Sequence, residues 1–134
     1  MKTLRLLLVF LASTLVTLPT RAELPPSAYE QMQTTAPEFV KIEVLRVDVE
    51  PGEDPTQQKI HIVAMVTEVS RTASGLKAND LVNIVYGITE RPKGWAGPGQ
   101  VPVPAVKDQT VAYLKKLDNG DYAPAAGRMT YSQF

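Results

Sequence analysis

The sequence predicts an all-β protein: a small five-stranded OB-like barrel with a short N-terminal helix or tether after a cleaved signal peptide. Three observations predict it. From Phe39 onward, apolar residues gather into five strand-length runs, the clearest of them alternating with period two. The first run changes parity midway, which marks a bulged and bent strand of the kind small closed barrels use. The connections are long or rich in turn residues, and about 96 residues from Phe39 onward suit a partly open five-stranded barrel.

The chain opens with Met1-Lys-Thr-Leu-Arg5, thirteen uncharged residues from Leu6 to Leu18, and then Pro19-Thr20-Arg21-Ala22. A basic start, an apolar stretch of that length and the small pair Thr20 and Ala22 compose a signal peptide over residues 1–22. The stretch is shorter than the ~20 residues of a spanning helix and no second one follows, so no membrane span is expected. Residues 23–38 are a lead-in bounded by Pro25, Pro26 and Pro37. Ser27 and Glu30 read as a capping box, predicting a helix from about Ala28 to Thr34 that docks through Tyr29 and Met32. A disordered tether is the alternative.

The domain proper runs over 39–134. Residues 39–50 place Val40, Ile42 and Val44 on one parity, then Val47 and Val49 on the other, which requires a bulge near Leu45 and Arg46. A turn at 51–58 leads to a strand over 59–71 that is apolar on both parities, so both of its faces should be covered. Ser74-Gly75 breaks the pattern before a strand at 81–89 with Val82, Ile84, Tyr86 and Ile88 on one face. Gly87, opposite, suggests close approach of another backbone. Residues 90–109 hold four Pro and three Gly, a density that excludes a helix or a central strand. A fourth strand at 110–117, a tight turn at Asp118-Asn119-Gly120-Asp121 and a short fifth strand at 122–126 follow, the last held to an edge by Pro124. Gly127 begins a tail.

The run Val66-x-x-Val69, Gly75-Leu76-Lys77-x-Asn79-Asp80-x-Val82-x-Ile84-x-Tyr86, then Ala112-Tyr113-Leu114 and Tyr122-x-Pro124, resembles the exported OB-like domains of the netrin-module and metalloproteinase-inhibitor superfamily. The resemblance spans about residues 39–126 and implies an exported barrel. The inhibitors of that superfamily use a disulfide-tied N-terminal Cys on the target's metal. This chain has no Cys, so inhibition by that route is not implied.

Charge and composition narrow the function. The 14 basic and 14 acidic residues cancel, but loss of Lys2, Arg5 and Arg21 with the leader leaves 11 against 14. A mildly acidic exported chain lacks the basic field that phosphate binding needs, so no nucleic acid is expected, and Lys115-Lys116 reads as solvated charge. The absence of Cys excludes disulfides, thiolate metal sites and a lipoprotein anchor. An outer-membrane barrel needs at least about eight strands, against five here.

His61 is the sole histidine, and Met65 on the same strand face lies about 13 Å away at ~3.3 Å per residue, too far to share an ion. It reads as a structural histidine with satisfied polar atoms, leaving no metal and no cofactor expected. Glu50, Glu53 and Asp54 surround Pro51-Gly52 and Pro55 in what reads as a solvated turn; a carboxylate hydrolase or an ion site would draw on the same three. The strongest binding candidate is Trp95, the only tryptophan, with Arg91 and Lys93 just before it. It serves either as a recognition residue or as a lid over the barrel end. The expectation is a non-catalytic periplasmic or secreted domain that recognises an envelope or extracellular protein or saccharide through the loop 90–109. A structural accessory subunit of an exported complex and a small carboxylate-based hydrolase are the alternatives.

Overall fold

The computed structural model describes residues 23–91, 93–95 and 99–133, so the expected leader lies outside the described residues. Helix α1 is Pro26–Thr35, and the strands are β1 Glu38–Pro51, β2 Gln57–Thr72, β3 Leu81–Thr89, β4 Gln109–Lys116 and β5 Tyr122–Pro124, followed by a 3-10 turn at Gly127–Met129. The strands close in the order β1-β2-β3-β5-β4, and only β3 with β5 is parallel. This is a small OB-like barrel.

The predicted bulge is present. Val44 faces Ala64 and Arg46 faces Val63, which leaves Leu45 as the inserted residue. Before it, β1 pairs with both β2 and β4; after it, β1 pairs with β2 alone. The parity change lets Val40, Ile42 and Val44 and then Val47 all turn toward one interior. Ile60, Ile62, Ala64, Val66, Val82, Ile84, Ala112 and Leu114 complete the core. Each bulky aliphatic in that set contributes about 1.5–3 kcal/mol by leaving water.

Four expectations are corrected. Helix α1 starts at Pro26 with Pro25 as its N-cap and no side-chain cap, so Ser27 and Glu30 form no capping box. A proline fits the first turn because its missing N–H would have no partner there. The outer parity of β2, with Val63 and Met65, is only half covered. β5 is not an edge: it closes the ring between β3 and β4. Pro124 faces Leu114, and the ladder to β4 continues past it, with Ala125 N–H bonding to Tyr113 O at 2.9 Å. Gly87 marks no close approach, since a Cβ there would sit 3.8 Å from Gln58 O, an ordinary contact.

The tail is also more than a tail. Tyr113 N–H bonds to Thr130 O at 3.0 Å and Thr110 Oγ1 donates to Tyr131 O at 2.7 Å. These bonds hold Tyr131 in the barrel core at 9% exposure.

The helical alternative for the lead-in is the one observed. α1 lies on the outer face of β1 and β4, where Met32 and Ala36 pack with Phe39, Val111, Tyr113 and Ala126. Phe39 stacks on Tyr113 with ring centroids 4.4 Å apart. Arg71 on β2 supplies the helix's missing C-terminal partners, donating from Nε to Ala36 O at 2.9 Å and from Nη2 to Gln33 O at 2.7 Å.

Candidate functional site

The long β3–β4 connection is fastened at its first residues and on its return. Glu90 N–H donates to Thr56 O at 2.7 Å, which ties the loop to the β1–β2 turn. The Gln100 side-chain amide brackets Thr89, accepting its N–H and donating to its carbonyl. Tyr86 hydroxyl donates to Pro102 O at 2.7 Å. Burial pushes the Tyr86 phenol up to about 12, so the hydroxyl remains a donor at neutral pH.

Between these ties lies a cleft of about 350 Å³ lined by Pro55 and Thr56 of the turn, Gln58 at the start of β2, and residues of the loop, including Glu90, Arg91 and Gln100. The two segments are far apart in sequence and meet because β2 and β3 pair from Gln57↔Thr89 onward. Arg91 links the cleft to Trp95, its guanidinium carbon standing 4.7 Å from the indole centroid. Trp95 is 41% exposed. Among the described residues of this loop, Val101 is the apolar one that packs on the barrel core. Lys93 is exposed in the turn before Trp95.

The structure therefore brings two of the three sequence candidates, Arg91 and Trp95, into contact beside a cleft. Gln58 and Gln100 were not legible as site residues, because a neutral amide leaves no periodic or charge signature. Their adjacency follows from strand pairing alone.

The other candidates stand elsewhere. Asp54 Oδ1 accepts from Thr56 N–H and Thr56 Oγ1, both at 2.9 Å, and the first of these bonds chiefly holds its carboxyl below the ordinary range. Glu53 is exposed on the same turn, and Glu50 is exposed at the end of β1, where it faces Lys59. His61 lies half-buried on the outer face, opposite Asp48 on β1 and Val85 on β3. Its Nε2 is buried without a hydrogen-bond partner among the described residues, so the expectation of full satisfaction fails at that atom. No group of three His, Cys, Asp or Glu residues among the described residues is arranged to hold a metal ion. No helix among them is long and apolar enough to cross a membrane.

No protein-family model, no curated protein and no solved structure matches this chain.

Proposed function

We propose that the protein is an exported, non-catalytic binding domain whose ligand is a saccharide, held in the cleft between the β1–β2 turn and the β3–β4 loop. The observation that carries this reading is the Arg91–Trp95 pair at 4.7 Å on the rim of that cleft. A sugar ring presents apolar C–H faces and a rim of hydroxyls. An indole half open to solvent offers the matching flat surface, and Gln58, Gln100, Glu90 and Arg91 offer planar donors and acceptors for the hydroxyls. The cleft's volume of about 350 Å³ lies in the range of small-ligand clefts, and its largely polar lining suits a hydroxyl-rich ligand.

Export follows from the signal peptide expected over residues 1–22, and the slightly acidic chain that its removal leaves favours an uncharged ligand over a phosphate backbone. The test is binding of a panel of soluble oligosaccharides by calorimetry, with wild-type protein and Trp95→Ala. Removing the aromatic contact beside the cleft is expected to weaken the bound member by about thirtyfold or more while the melting temperature stays unchanged. A binding constant that Trp95→Ala leaves intact refutes the role of this cleft.

A further inference from the structure

We infer that Glu23 is a positioning residue for the β3–β4 loop, clasping its return segment to the opposite end of the chain so that the cleft is held in shape before a ligand arrives. The inference rests on the reading of that cleft as the binding site, and adds to it the residue that preorganises it. The observations lie outside the cleft. Glu23 Oε2 accepts Gly99 N–H at 2.9 Å, and Glu23 Oε1 accepts Arg128 Nε at 2.7 Å and the Tyr29 hydroxyl. Arg128 lies over the Tyr29 ring, its guanidinium carbon 4.8 Å from the centroid. One carboxylate thus joins the lead-in, helix α1, the C-terminal 3-10 turn and the loop.

The loop approaches this node closely. A Cβ on Gly99 would come within 2.8 Å of Arg128 Cδ, so a larger residue there would have to push the arginine aside. The next residue is Gln100, which brackets Thr89 and lines the cleft beside Arg91. Fixing the Gly99 amide fixes the start of that bracket. Without the clasp, Gly99 and Gln100 would have to be fixed when a ligand binds, and the ordering entropy would come off the affinity.

The groups facing the Glu23 carboxylate are Tyr29 from α1, Arg128 from the 3-10 turn and the Gly99 amide from the loop. Its hydrogen bond from Tyr29 first, and that from Arg128 second, hold the carboxyl below its ordinary value of 4.5. A depressed carboxyl contributes its fastening above the ordinary value and loses it as pH falls through the depressed one. The clasp is therefore closed at neutral pH and opens in acid.

Amide hydrogen-exchange protection, measured by NMR on the purified protein, tests this without a ligand. Glu23→Ala is expected to speed exchange at Gly99 and Gln100 by about tenfold, with the core amides of Ile62 and Leu114 unchanged. Arg128→Met, which keeps apolar bulk against Tyr29 but removes the donor, should loosen the same two amides. In wild type their protection should fall on acidification; in Glu23→Gln that pH dependence should vanish. Unchanged protection in Glu23→Ala, or the same pH profile in Glu23→Gln as in wild type, overturns the clasp whatever the protein binds. Loosened amides with undiminished oligosaccharide affinity would overturn Glu23 as a positioning residue for the cleft, whereas an affinity that Trp95→Ala leaves intact would overturn the cleft as the binding site.

Discussion

Replacing Tyr131 by Ala and by Phe separates what its ring does from what its hydroxyl does. The ring is part of the barrel core although it lies four residues from Gly127, in a segment whose sequence is polar on both sides. At 9% exposure its removal empties a space bounded by the residues that close the barrel, and loss of a buried aromatic ring costs about 3–5 kcal/mol. For a domain whose whole stability is on the order of 5–15 kcal/mol, that is a large fraction. The bonds from Tyr113 N–H to Thr130 O and from Thr110 Oγ1 to Tyr131 O use only main-chain acceptors of the tail and are expected to survive the substitution, so the figure refers to the ring itself.

The hydroxyl has the opposite balance. Among the described residues Tyr131 Oη is buried without a hydrogen bond of ordinary geometry; the Tyr86 hydroxyl, which donates to Pro102 O, faces it only as a loose hydrogen-bonding neighbour. An unpaired buried donor costs about 1–3 kcal/mol, and Tyr131→Phe removes it while keeping the ring. Urea unfolding followed by far-ultraviolet circular dichroism gives both numbers. The expected outcome is Tyr131→Ala destabilised by about 3–5 kcal/mol and Tyr131→Phe neutral or stabilised by about 1 kcal/mol, with the slope unchanged. Tyr131→Ala within about 0.5 kcal/mol of wild type would show that the tail does not close the barrel. A loss of more than about 1 kcal/mol in Tyr131→Phe would show that the hydroxyl is satisfied.

Two glycines on or beside strands should respond in opposite ways. Gly87→Ala meets only an ordinary contact at 3.8 Å and is expected to stabilise by about 0.4–1 kcal/mol, whereas Gly52→Ala would press on Gln57 Cβ at 2.7 Å and should destabilise; thermal melts of both check the pair. Alkaline stability follows from the phenols. Burial holds Tyr29, Tyr86, Tyr113 and Tyr131 above their ordinary value of 10, with Tyr86 up to about 12. A raised folded value contributes stability below the ordinary one and loses it as pH rises beyond, so unfolding should set in above pH 10 and coincide with phenolate absorbance. Phenolate appearing for those four residues well before loss of circular dichroism would refute their burial.

The site was partly legible. Trp95 and Arg91 stood out because a lone large aromatic with a nearby cation, in a segment unable to form regular structure, has few other uses. The structure places the two side chains in contact, 4.7 Å from guanidinium carbon to indole centroid. The cleft beside them was not legible. It exists because β2 and β3 pair in a register that carries Gln58 and Thr56 to Ile88 and Glu90, and neutral side chains say nothing of register in sequence. The clasp at Glu23 was hidden for a similar reason, since its partners lie 6, 76 and 105 residues away.

What the sequence by itself determined are the features governed by neighbours along the chain. Alternation set the strands, the change of parity at Leu45 set the bulge, and Gly120 with φ 92 set the β4–β5 turn. Tertiary structure alone decided which elements close the barrel. β5 completes the ring through a single bridge between Ile84 and Tyr122, Tyr131 enters the core from a polar tail, and α1 takes the outer face of β1 and β4. The physical reason is range: side-chain alternation is imposed residue by residue by the strand backbone, whereas closure depends on which distant surfaces exclude water together.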